Sequence, residues 1–62
     1  MPKISAKAAR VNADLTLKEA AKQLGMSYQN LSLLENDEDK ITLGTAKKMA
    51  KIYRIPMDFI FR

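Results

Sequence analysis

The chain has 62 residues, room for one domain with a small core, and it contains neither cysteine nor histidine. That removes disulfides, thiolate metal sites, a thiol nucleophile and the commonest general base, so neither catalysis nor a metal or cofactor is expected, and no small-molecule substrate either. Eleven Lys and Arg against seven Asp and Glu leave a charge of +4, which suits a polyanionic partner or plain solubility.

Hydrophobic residues make up 47% of the chain, with only two Gly and two Pro, a composition of helix formers and not of disorder. No apolar run approaches the roughly 18 residues of a membrane span, and none follows Met1 as a signal-peptide core would. A soluble cytoplasmic protein without membrane contact is expected.

Ile4, Ala8, Val11 and Leu15 recur at helical spacing and predict a first helix over about residues 4–13, with Ser5 as its N-cap. Asn12, Ala13 and Asp14 end it with turn-tolerant residues. Thr16 and Glu19 form a capping box, in which the hydroxyl bonds the backbone N–H three residues on and the carboxylate reaches back. The second helix then turns Ala20, Ala21 and Leu24 inward and stops at Gly25, where a left-handed residue is cheapest.

Ser27 caps a third helix over about residues 28–35, whose buried stripe needs only Leu31 and Leu34. Asn36, Asp37, Glu38 and Asp39 form an acidic loop, most simply a solvated linker. Thr42 or Thr45 caps a fourth helix reaching about Tyr53. Its stripe is Leu43, Ala46, Ala50 and Tyr53, widened by Met49 and Ile52, with Lys47, Lys48 and Lys51 outside. Pro56 opens a fifth helix, from which Met57, Ile60 and neighbouring Phe59 and Phe61 close the core. No segment alternates as a strand would, so the expected fold class is all-α, five helices in a single domain.

The informative stretch runs from Leu17 to Leu34. Two short helices crossing steeply need a small residue at the crossing, here Ala21, and a tight turn, here Gly25. Leu24, Leu31 and Leu34 anchor both helices, and the opposite face of the third is held outward.

These residues resemble a known family. Thr16-x-x-Glu19-Ala20-Ala21-x-x-Leu24-Gly25, then Ser27-x-x-x-Leu31-x-x-Leu34-Glu35-Asn36, then Ala50-x-x-Tyr53-x-Ile55-Pro56-x-Asp58-x-Ile60-Phe61 are similar to the Cro/repressor-type (XRE) helix-turn-helix domains of phages and mobile elements. The resemblance covers nearly the whole chain and implies a compact lambda-repressor-like fold with a helix-turn-helix formed by helices 2 and 3. It further implies that helix 3 enters the DNA major groove. Carried over by position, the base readers are Ser27, Tyr28, Gln29, Asn30, Ser32 and Leu33. The amides of Gln29 and Asn30 suit adenine, and Leu33 suits a thymine methyl. The plain alternatives are helix surface for Gln29 and Asn30, a ring folded on the protein for Tyr28, and a simple cap for Ser27.

Phosphate contacts are implied at Thr16, Leu17 and Lys18, where the helix 2 N-terminus offers N–H groups, and at Lys40 and Thr42. Family members often carry Gln where this chain has Leu17, which leaves the backbone amide to make that contact. They often carry Gly at positions 14 and 37, where a left-handed residue is expected; this chain has Asp at both. The acidic run is expected to weaken non-specific DNA binding or to serve protein contacts. Arg10 and Glu35 match an ion pair joining helix 1 to the end of helix 3. Met57, Phe59 and Phe61 are more apolar groups than one short helix buries, and Phe59 with a neighbour is expected to form a weak homodimer contact, made mainly on DNA.

The expected function is a bacterial or phage-encoded, Cro-like repressor on a two-fold double-stranded DNA operator. The alternatives are a protein-interaction module on the same fold, favoured slightly by the acidic loop, or the DNA-binding part of a longer repressor or antitoxin.

Overall fold

Each helix begins at a hydroxyl side chain. In the computed structural model, which describes residues 4–56 and 58, the order is α1 (Ala6–Asn12), α2 (Leu17–Leu24), α3 (Tyr28–Asn36), a 3-10 turn (Glu38–Lys40) and α4 (Leu43–Tyr53). The oxygens of Ser5, Thr16, Ser27 and Thr42 accept the N–H groups of Ala8, Glu19, Asn30 and Thr45 at 3.0, 3.1, 3.1 and 3.2 Å. Every cap thus reaches three residues on and satisfies a donor that has no partner inside the helix. At α2 the box is closed by Glu19, whose carboxylate accepts the Thr16 N–H at 2.9 Å. The bonds from the Thr16 backbone and side chain hold the Glu19 pKa below its ordinary value.

Among the described residues, three take left-handed backbone where the chain reverses. Gly25 (φ 76°) ends α2, Asp14 (φ 60°) lies between α1 and α2, and Arg54 (φ 59°) ends α4. Asp37 does not, contrary to the sequence expectation: it is extended at φ −140°. Its N–H bonds the Leu33 carbonyl at 2.9 Å, and Lys40 N–H bonds the Asp37 carbonyl at 3.1 Å. The chain passes from α3 into the 3-10 turn without reversing its hand, so no glycine is needed there.

The core is built from Ala6, Ala9, Ala20, Ala21, Leu24, Leu31, Ile41, Ala46, Met49 and Tyr53. Half of these are alanine. Small side chains let α2 lie close to both α3 and α4, and α1 close to α4. The expected α1 stripe is wrong in its phase. Ala6, Ala9 and Arg10 face inward, Ala8 is half-buried and Val11 is 53% exposed; only Ile4 and Leu15 pack against the core from its edge. The turn of the helix follows Arg10, whose guanidinium has its partners inside. In α4, Leu43 is also exposed, because it is the first helical residue and precedes the buried face of Ala46, Met49 and Tyr53. Lys47, Lys48 and Lys51 lie outside as expected.

The described residues contain no strand. The expected fifth helix, with Met57, Phe59, Ile60 and Phe61, lies outside the described residues, so four α-helices are established among them. No helix among the described residues is long and apolar enough to cross a membrane.

Leu31 is fully buried and Leu33, two residues on, is 64% exposed. Leu31→Ala is expected to cost about 2–5 kcal/mol in urea unfolding, and Leu33→Ala no more than about 0.5 kcal/mol. Equal losses would contradict this orientation of α3.

Candidate nucleic-acid interface

α3 is held on its inner side by Leu31, Leu34 and Glu35. The residues spaced at one helical face away from them are Gln29, Ser32, Leu33 and Asn36. Tyr28 and Asn30 flank this stripe near the N-terminal end. Ser27, Tyr28, Gln29, Asn30, Leu33 and Asn36 are exposed, and Ser32 is half-buried. All six sequence-derived reader positions therefore share the outer side of one helix or its capping end. Asn36 was missed. It falls in this stripe because α3 runs one residue beyond the expected end, and its spacing of seven from Gln29 was the available signal.

α3 carries no Lys or Arg. Its outward chemistry is amide, hydroxyl, phenol and one aliphatic group, arranged without a charge. Ser27 uses its oxygen to cap the helix, which leaves the hydroxyl proton for another acceptor. The Asn30 amide lies 3.7 Å from the Met26 sulfur, a weak tether across the turn. The Tyr28 ring does not stand alone: the Lys18 ammonium sits 5.3 Å from its centroid.

The pose of α3 is set from inside. Arg10 Nε donates to Glu35 Oε2 at 2.7 Å and Nη2 donates to Oε1 at 3.3 Å. Its Nη1 donates to the Leu15 carbonyl at 2.9 Å. The two side chains are 10% and 6% exposed, so this is a bidentate pair largely withdrawn from water. Beside it, the buried Tyr53 hydroxyl has no hydrogen-bond partner among the described residues. Burial first and the Glu35 carboxylate second raise the Tyr53 pKa, against the opposing pull of Arg10, to about 12.

The expected phosphate-contacting groups lie at the ends of α2 and α4. The α2 N-terminus is exposed at Thr16 and Lys18, and Leu17 is half-buried, which leaves backbone N–H groups of its first turn pointing along the helix axis. Lys40 is well exposed and stands 3.9 Å from Asp37, a loose pair. Thr42 is more committed than its sequence position suggests. Its hydroxyl accepts the Thr45 N–H and donates to Thr45 Oγ1 at 3.1 Å.

The acidic loop is only in part the solvated linker that the sequence reading favoured: Asn36, Asp37 and Asp39 are exposed, and Glu38 is half-buried. Glu35 is taken by Arg10, and Glu38 Oε2 accepts the Ala6 N–H at 2.8 Å. Glu38 thereby ties the 3-10 turn to the start of α1, a role that no local sequence signal reveals. Two of the charges nearest α3 are thus turned toward the protein.

Two clefts, of about 540 and 380 Å3, lie along the C-terminal half of α2 and α4, and neither is lined by an α3 residue. The outer residues of α3 instead lie open to solvent, with Ser32 half-buried among them. No group of three His, Cys, Asp or Glu side chains among the described residues is placed to hold a metal ion.

Comparison with known proteins agrees with this geometry. A helix-turn-helix family model matches residues 7–60. No curated protein and no solved structure matches the chain.

Removing Arg10 strands the Glu35 carboxylate. Arg10→Met is expected to lose about 3–5 kcal/mol of stability, read by thermal or urea melts, and an unchanged melt would refute the buried pair. Tyr53 gives an independent check. Its folded pKa lies above the ordinary value of 10.0, so its contribution is fully present below about pH 10 and is lost as pH rises toward about 12. A pH titration of tyrosinate absorbance should show a phase near pH 12 that disappears in Tyr53→Phe, and a titration in which Tyr53→Phe removes no such late phase would contradict the burial.

Proposed function

The chain belongs to the Cro/repressor-type (XRE) helix-turn-helix family, a family of DNA-binding domains, and from that premise we propose that it is a sequence-specific transcriptional regulator that represses by occupying a two-fold operator. The observation that carries this reading is the outer face of α3. It offers hydrogen-bonding and apolar groups without charge, on a helix locked by a bidentate ion pair. Such a face discriminates base edges, while phosphate attraction alone needs cations and no fixed pose.

In this reading α3 lies in the major groove. Gln29 and Asn30 pair with adenine edges, and Leu33 meets a thymine methyl. Ser27 and Tyr28 read at the N-terminal end, Ser32 and Asn36 further along. The backbone N–H groups at the start of α2, from Leu17 and Lys18 next to the Thr16 cap, hold one phosphate. Lys40 and the approach to α4 at Thr42 hold the flanking strand.

One module spans few base pairs, so two copies on half-sites about one helical turn (~34–36 Å) apart supply the rest. The proposed contact between copies uses Met57, Phe59 and Phe61 and forms mainly on DNA. Phage or bacterial origin and a cytoplasmic setting belong to the same proposal.

Selection on a random duplex library at roughly physiological salt is expected to enrich a two-fold symmetric motif. Gln29→Ala should then lose about 1–3 kcal/mol of preference at one base pair of each half-site. Wild-type affinity should fall at least about tenfold between 50 and 200 mM salt, the value for one neutralised phosphate per subunit of a dimer. A fall of less than threefold would remove the phosphate contacts. No enrichment at all would replace DNA reading with a protein-interaction role, for which the acidic run is the surface to probe.

A further inference from the structure

Lys18 and Tyr28 stand on different helices of the helix-turn-helix, Lys18 in the first turn of α2 and Tyr28 as the first residue of α3. An exposed lysine ordinarily leaves its ammonium in water. Here the ammonium lies 5.3 Å from the Tyr28 ring centroid, within the roughly 6 Å range of a cation–π contact. Tyr28 is 43% exposed, so the protein covers part of the side chain and the Lys18 ammonium adds a hold on the ring. Its hydroxyl has no hydrogen-bond partner among the described residues and so remains open to a ligand.

We propose that Lys18 is a positioning residue for base reading: it holds the Tyr28 ring at the entrance of α3 so that the phenol hydroxyl meets one base edge in each half-site. The proposal rests on the DNA-binding reading above and deepens it. It separates two roles that a basic residue at this place can play. A phosphate contact adds affinity on every duplex and adds to the salt dependence. A lysine acting through Tyr28 adds preference at one base pair and leaves the other positions alone. The chain brings its cation to the ring from the neighbouring helix, so the angle between α2 and α3 is transmitted to the reader itself.

A double-mutant cycle separates the roles. Wild type, Lys18→Met, Tyr28→Leu and the double variant are compared on duplexes chosen by wild-type selection from a random library, each carrying single base changes, with unselected duplex as reference. The free protein supplies a second readout. The ε-methylene protons of Lys18 should be shifted upfield by the Tyr28 ring and return to ordinary values in Tyr28→Leu.

Lys18→Met is expected to reduce discrimination about two- to fivefold at one position of each half-site, the fold-change of an exposed cation–π contact. The effect should vanish in the Tyr28→Leu background, and the salt slope should not change. If Lys18→Met instead weakens all duplexes equally, lowers the salt slope and does so whether or not Tyr28 is present, Lys18 is a phosphate contact and the positioning role is refuted while DNA reading stands. If wild type selects no sequence, both fall together, and a persisting upfield shift marks the contact as structural only.

Discussion

The Arg10–Glu35 pair is the constraint from which the arrangement follows. One guanidinium reaches α3 through Glu35 and the α1–α2 connection through the Leu15 carbonyl. Three parts of the chain are thereby fixed by one side chain. Withdrawing two charges from water is costly, and an apolar pair of similar volume would often be as stable. What the ion pair adds is direction. A bidentate fork allows one approach angle, so the outer face of α3 is presented at one angle too. The Tyr53 hydroxyl, buried near the pair, stays without a partner among the described residues.

Around that constraint the fold is assembled from local rules. Four hydroxyl caps start four helices, and alanines at the crossings let the helices approach closely. Such features are legible in the sequence because each depends on residues within one turn. Ser5, Thr16, Ser27 and Thr42 announce their helices, and Gly25 announces its turn. The α1 stripe was misread because its orientation depends on Glu35, far along the chain. The resemblance pairs Arg10 with Glu35, but a stripe drawn from apolar spacing alone leaves the arginine out. The need for a left-handed residue was right at Asp14 and wrong at Asp37, since the 3-10 turn after α3 could not be anticipated from composition. Ile41 entered the core for the same reason, because that turn swings it inward.

The candidate interface was legible to a different degree. The reader positions followed from the motif spacing, and α3 places them on one outward side. What spacing could not show was how the charges are distributed. α3 carries no cation, and the exposed lysines of α4 lie on a different helix. The acidic residues at the end of α3 and after it look like a barrier to DNA in the sequence, yet Glu35 and Glu38 are bonded inward and only Asp37 and Asp39 stay exposed. In the proposed docking, affinity and selectivity are divided between elements: flanking helix ends would meet phosphates, and an uncharged face would meet bases.

That division makes the Glu38 contact more than a local detail. Glu38 holds the 3-10 turn to the first turn of α1, and the same α1 supplies Arg10. Lys40 ends that turn and Thr42 begins α4 immediately after it. α3 and the turn are also joined directly, by the Asp37 N–H on the Leu33 carbonyl and the Lys40 N–H on the Asp37 carbonyl. The position of the proposed phosphate contacts relative to the proposed base readers is therefore set by this short connection and braced from α1, which carries neither. In the proposed docking, the angle of α3 is thus backed by α1 at two points, the Arg10 guanidinium and the Ala6 N–H.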